Sequence, residues 1–238
     1  MRSTISSSRL ARLLGRWDAV ADEPVRQDLA ERLSQWLPVR DAISLDAAHR
    51  AIQALPAQWA APRVRGPVPD ALERELQRVR ETLVQAIQAP PPRPAPPLRG
   101  RHALPQSGSV AAEPEDPLAP LRRQAADLQR QMGLRVDALR HHVRRQLAAR
   151  SAALAQLAAL DAAMEQMLAE RLQKALATLP LLWERRCAQL RAQGQDGPAE
   201  AARALQELLL AELETRLEPV AGLIEAAARS AGPGKVTR

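Results

Sequence analysis

Apolar residues recur at three- and four-residue spacing through most of the chain, which is the period of a helix with one buried face. The longest run lies in the second half. Leu121, Leu128, Met132, Val136, Leu139, Val143, Leu147, Leu154, Leu157, Met164, Leu168, Leu172 and Leu176 follow one stripe, and no proline interrupts it before Pro180. A single helix from Leu121 to Leu179 would run about 90 Å at 1.5 Å per residue. It cannot bury its stripe against itself, so it folds back on other helices or pairs with another chain. The spacing is not a strict heptad, which favours a helical hairpin or irregular bundle over a long left-handed zipper. Gly133 and the region of Asp161 are the expected bending points. Pro180 is expected to kink or break the run, with Thr178 as a cap for a continuation through Trp183 to about Gln193. Gly194, Asp196 and Gly197 mark a turn. Pro198 opens a last helix with Ala202, Leu205, Leu209, Leu213, Leu217, Val220, Ile224 and Ala227 on one face and a kink at Pro219. Residues 231–238 read as a tail.

The first half carries shorter patterns. Ser6–Ser8 can cap a helix bearing Leu10, Leu13, Leu14, Trp17 and Val20. Pro24 opens a second, with Val25, Leu29, Leu33, Trp36 and Leu37 at helical spacing and Pro38 at its end. Ser44 begins a third, with Leu45, Ile52 and Leu55 inward, closed by Pro56. These three predict a small N-terminal cluster with Trp17 and Trp36 in its core. Asp70 caps a fourth helix carrying Leu72, Leu76, Val79, Leu83 and Ile87. Between Pro90 and Pro120 there are ten prolines in 31 residues, a density no packed element tolerates; this reads as an extended, disordered linker. The predicted organisation is an N-terminal helical region over 1–89, the Pro-rich linker over 90–120, a long amphipathic helix over 121–193, a C-terminal helix over 194–230, and the tail. The fold class is all-α: N-terminal cluster, linker, and a long coiled-coil-like hairpin or bundle.

Composition strengthens the helical reading. The chain has 47 Ala and 36 Leu but only five Ile and 12 Val, with no Phe and no Tyr. Ala and Leu favour helix, whereas β-branched and aromatic residues fill strands. Ala buries little area, so thin helix–helix seams suit this chain better than a broad interior. The single cysteine, Cys187, excludes an intrachain disulfide and a Cys-based zinc site. The N-terminus lacks the continuous apolar stretch of a secretory signal. The longest apolar stretch, Ala175 to Trp183, is far shorter than the roughly 18 residues a membrane span needs. The expectation is a cytoplasmic protein, soluble or peripheral to the inner membrane.

Charge adds one candidate surface. The net charge is +7, and 32 of the 34 basic residues are Arg. The excess sits in residues 121–193, which hold 13 basic and six acidic side chains. On a helical wheel Arg122, Arg123, Arg130, Arg140, Arg144 and Arg145 fall opposite the apolar stripe. Three readings stay open: an ion-paired or solvated face, a surface for an acidic protein, or a face that tracks nucleic acid or anionic lipid with strong salt dependence. No stacking aromatics, helix-turn-helix pattern or zinc-finger spacing accompanies it.

The chain offers little for catalysis. Asp137 and His141 share a helix face, but Arg145 stands where a third metal ligand would follow. His141 and His142 point about 100° apart on a helix and cannot chelate jointly. Cys187 reads as a small apolar residue near Trp183. GPGK at 232–235 lacks the first glycine, the hydroxyl residue and the following helix of a phosphate loop. No catalytic residue, cofactor, metal or small-molecule substrate is expected.

The segment LAQLAALDAAMEQMLAERLQKALATLPLLWERR at 154–186, with SRLARLLGRWDAV at 8–20 and RLSQWLPVRDAISLDAA at 32–48, resembles an uncharacterised, mainly proteobacterial family of unknown function. That family carries an aromatic-rich helix just after its linker. Here the stretch reads PLRRQAADLQRQM, with no aromatic residue. The resemblance implies company with large membrane-anchored coiled-coil proteins and peptidoglycan-binding proteins, which suits a cytoplasmic accessory subunit. The functional expectation is a structural or scaffold protein. It would dock a protein partner or self-associate through Leu128, Met132, Val136, Leu139, Val143, Leu147, Leu154, Leu157, Met164, Leu168 and Leu172. The alternative is nucleic acid or anionic lipid bound by the Arg face.

Overall fold

A computed structural model of the chain describes residues 8–17, 39–58, 69–90, 116–195 and 197–231. Among these residues there are seven helices and no strand, so the fold is all-α. They are α1 (Arg9–Trp17), α2 (Val39–Gln58), α3 (Pro69–Gln88), α4 (Ala119–Ala148), α5 (Ala152–Ala177), α6 (Leu179–Ala192) and α7 (Pro198–Ala231). The helix expected around Pro24, Trp36 and the bulk of the Pro-rich linker lie outside the described residues.

The run expected as a long helix over 121–193, kinked near Pro180, is three helices. Neither Gly133 nor Asp161 bends it; both sit inside unbroken helix. The chain turns instead at Ala149–Arg150, and Ser151 restarts it. The Ser151 backbone is extended, and its hydroxyl accepts a hydrogen bond from the Leu154 N–H at 3.2 Å. That is an N-cap, and it satisfies one of the amides that every helix start leaves unpaired. The second break falls at Thr178, with Pro180 in the first turn of α6, where a missing N–H is harmless. The Thr178 hydroxyl donates back to Ala175 O at 2.7 Å and does not cap α6.

The α6–α7 turn follows from its glycines. Gly194 adopts φ +74°, and the Gln195 and Gly194 amides donate to Leu190 O and Arg191 O at 2.9 and 3.0 Å. This is the Schellman closure of a helix C-terminus, and glycine adopts its left-handed backbone without strain. A Cβ on Gly197 would collide with the Glu200 carboxylate that folds back over it.

Ion pairs and hydrogen bonds give the helix directions. Arg140 meets Asp161 and Arg122 meets Glu184, so α4 runs antiparallel to α5 and α6. The hairpin therefore closes within one chain. Gln129 reaches Glu212 and Gly133 lies beside Arg216, a constant offset that makes α7 parallel to α4. Glu75 faces His142 and the Ala89 carbonyl accepts from Gln124, so α3 returns antiparallel to α4. Arg9 pairs with Glu214, while Trp17 and Glu207 line one cleft, so α1 lies antiparallel on α7.

The core gathers around α7, which packs against α1, α3, α4, α5 and α6. Its buried residues include Ala201, Ala204, Leu205, Leu208, Leu209, Ala211, Leu213, Leu217, Val220, Leu223, Ile224 and Ala227. These go well beyond one stripe and leave only an outer face, with Arg203, Glu207, Glu218 and Glu225, exposed, as expected for a helix with several neighbours. Pro219 lies inside α7, which continues through it to Ala231. Trp183 is fully buried, and its indole N–H donates to Ala201 O at 3.0 Å, tying α6 to the start of α7.

The separate N-terminal cluster does not form among the described residues. α1 packs on α7, with Leu13 buried, and α3 packs on α7 and α4. α2 starts at Val39, before Ser44, and continues through Pro56. It packs chiefly on α5. Pro56 has no N–H, so the Ile52 carbonyl loses its helical donor four residues on. The Gln156 side chain of α5 supplies the missing donor at 3.1 Å.

Leu213 is 1% exposed and Leu134 is 69% exposed. Leu213→Ala is expected to cost about 2–5 kcal/mol by urea denaturation, whereas Leu134→Ala stays within about 0.5 kcal/mol.

Candidate functional site

The structure separates the two surfaces that the sequence offered. Of the eleven candidate interface residues, Leu128, Met132, Val136, Leu139, Val143, Leu147 and Leu154 are buried in the core of this one chain. Leu157 is half-buried against that core. Met164 and Leu168 are also half-buried, and Leu172 is 44% exposed. The stripe is thus closed at its α4 end and open along α5.

The Arg face is divided in the same way. Arg140 and Arg144 turn toward α5. Arg140 donates from Nε and Nη2 to the two Asp161 carboxylate oxygens at 2.9 and 2.6 Å, and from Nη1 to Glu165 at 2.9 Å. Arg144 donates from Nε to Asp161 and from Nη1 to Glu165, both at 2.7 Å, and from Nη2 to the Asp161 carbonyl at 3.1 Å. Two guanidiniums and two carboxylates form a neutral, largely buried square. Burial alone would raise the Asp161 pKa, but hydrogen bonds from Arg140 and Arg144, with their charges, outweigh it and hold the carboxyl below its ordinary value. Arg122 bridges Asp116 and Glu184. Asp116 is held low first by the Leu118 amide and then by Arg122. Arg130 pairs with Asp127 at 2.9 Å on the exposed side of α4. Four of the six arginines are therefore in ion pairs. Arg123 and Arg145 are exposed and show no ion pair among the described residues.

A second charged group sits deeper. Glu212 is fully buried. Arg216 donates to its Oε1 from Nε and Nη2 at 2.9 and 2.7 Å, and Gln129 donates to its Oε2 at 2.9 Å. The sequence reading missed this group because Glu212 lies among solvent-type glutamates in α7 and its α4 partner is 83 positions away. Asp161 and Glu165 carried a legible signal: acids four apart on one arm of a hairpin opposite arginines four apart on the other.

The remaining candidates for chemistry resolve simply. Cys187 is buried beside Leu190 and lines a cleft of about 220 Å³ with Pro117, Leu118 and Arg191. Burial pushes its thiol pKa up, which disfavours the reactive thiolate. The His141 ring lies 3.0 Å from the Asp137 carbonyl, not its carboxylate. His142 lies 3.4 Å from Glu75. Among the described residues, no three His, Cys, Asp or Glu side chains come together as a metal site. No helix among them is long and apolar enough to cross a membrane.

What remains distinctive is the middle of α5. From Ala159 to Ala175 no residue is buried, although this stretch carries Leu160, Met164, Met167, Leu168 and Leu172. Leu160 is 41% exposed. α4 and α7, by contrast, bury a residue on nearly every turn.

The chain matches, over residues 1–229, the family described as "Protein of unknown function (DUF3348)", and it belongs to that family. The resemblance of its sequence segments to a family of unknown function agrees with this. No curated protein and no solved structure matches the chain.

Asp161 gains its stabilisation in the ionised form. That contribution is complete above the ordinary aspartate value of 3.8 and is lost as pH falls through the lowered one. Asp161→Asn should therefore destabilise the protein at neutral pH, and its deficit against wild type should shrink as urea titrations move below pH 4. A deficit independent of pH would contradict the ion-pair account.

Proposed function

We propose that this member of the family is a non-catalytic scaffold or accessory subunit that binds a protein partner by helix–helix contact through the open face of α5. The supporting observation is the run from Ala159 to Ala175, in which no residue is buried. Leu157, Leu160, Met164, Leu168 and Leu172 recur at helical spacing along a helix that the Arg140–Asp161–Arg144–Glu165 square ties to α4. An apolar helical stripe on a rigid support suits an amphipathic helix laid alongside it. Methionines in such a face adapt to the partner's side chains. The company implied by the family resemblance, membrane-anchored coiled-coil proteins, would supply helices of this kind to a cytoplasmic subunit.

Anion binding along Arg122–Arg145 is the weaker reading. Four of its six guanidiniums already have carboxylate partners within the chain, and a paired arginine has less to offer a phosphate.

Leu160→Asp with Leu172→Asp tests the proposal. Both side chains are more than 40% exposed, so the double variant should keep its helical content and lie within about 1 kcal/mol of wild-type stability. Affinity purification from the native host should recover a stoichiometric protein with wild type and lose it with the variant. Equal recovery by both proteins would contradict the proposal. Light scattering distinguishes a second copy of the chain as the lost partner.

A further inference from the structure

Sulfur is spread unevenly over the fold. Besides Met1, which lies outside the described residues, the chain holds Met132, Met164, Met167 and Cys187. Met132 of α4 is sealed in the core and has no exposed surface. Cys187 is also buried, and its raised thiol pKa keeps it in the slow-reacting protonated form. Met164 and Met167 differ from both. They are only half-buried and belong to the stretch of α5 in which no residue is buried. α5 buries Leu154, Ala155, Ala158 and Leu176, and on the helical wheel both methionines fall on the side turned away from these.

Exposure decides what an oxidant reaches. Hydrogen peroxide transfers one oxygen atom to a thioether sulfur, giving the sulfoxide and one water. A flexible apolar side chain thereby becomes polar, with a strong hydrogen-bond acceptor. At Met132 the step has to wait for the core to open, whereas at Met164 and Met167 it does not. The fold does not rest on these two side chains. α5 is held by its buried residues and by the ion pairs of Asp161 and Glu165 to Arg140 and Arg144. In the free chain the sulfoxides can stay in water. Pressed between two apolar helix faces they would be buried without a donor, which is unfavourable.

We infer that Met164 and Met167 form a paired oxidation site on the α5 face, at which a peroxide converts both to sulfoxides and so releases a helix docked there. This rests on the reading of that face as the site of a protein partner. The step is reversible: a dithiol reduces the sulfoxide to the thioether, becoming a disulfide as the oxygen leaves as water. The core methionine and the buried cysteine are spared, so the surface changes while the fold persists.

Peptide mapping and partner recovery test it together. The full chain is treated with hydrogen peroxide and digested with trypsin, which places Met132 in residues 131–135 and Met164 with Met167 in residues 151–171. The second peptide should be oxidised about tenfold faster than the first, with the circular dichroism spectrum unchanged. Oxidised wild type should recover about tenfold less of the stoichiometric protein in the affinity purification. Met164→Leu with Met167→Leu should keep its recovery through the same treatment, and methionine sulfoxide reductases with dithiothreitol should restore that of the wild type. Equal oxidation of the two peptides, or recovery unchanged by oxidation, would overturn the inference and leave the proposed function standing. A wild type that recovers no protein even before treatment would remove the proposed function and this inference with it.

Discussion

A helix buried around most of its circumference needs several neighbours at once, and α7 imposes that requirement on the rest of the chain. Its leucines and alanines face α1, α3, α4, α5 and α6, so no one of those helices completes the core alone. Glu212 sharpens the constraint. A carboxylate with no solvent exposure is tolerable only with its hydrogen bonds made, and Arg216 and Gln129 make them. Removing a single partner from such a pair commonly costs about 3–5 kcal/mol, because the remaining charge stays buried. The Gln129 contact also fixes the register of α7 on α4, since a slide by one turn would leave Glu212 among leucines.

The α4–α5 hairpin meets a different demand. Its arms are joined at the turn by leucines and farther along by the square of Arg140, Arg144, Asp161 and Glu165. This ionic seam holds α5 in place without consuming its large apolar side chains. The same strong excess of arginine that raises the net charge to +7 therefore has an internal use. The helices at the periphery are held more lightly. α2 rests chiefly on one neighbour, through a carbonyl that Pro56 has freed.

Much of this was legible in the sequence, and the failures have physical causes. The buried stripe from Leu121 to Leu147 and the turn at Gly194–Gly197 follow directly from spacing and from glycine. The fold-back at Ala149–Ser151 was not anticipated because no glycine or proline marks it. Its signals were the seven-residue step from Leu147 to Leu154 and a serine just before the next helix. Burial on α7 is broader than its best apolar stripe, since Ala204, Leu208 and Ala211 lie off that stripe and are buried by the helices on its flank. The Arg face was read as one surface because helix α4 was considered alone. The acids that divide it come from α5 and α6. The open middle of α5 was hidden for the same reason: the pattern of Met164, Leu168 and Leu172 matches that of the buried leucines, and only the position of the other helices distinguishes them.

Native-state hydrogen exchange, resolved along the chain, tests the central role of α7 most directly. Amides from Leu205 to Ile224 should exchange only through global unfolding, whereas those of α2 and the middle of α5 should exchange through smaller openings. Protection in α2 equal to that in α7, or exchange from α7 at a free energy well below global unfolding, would contradict the account.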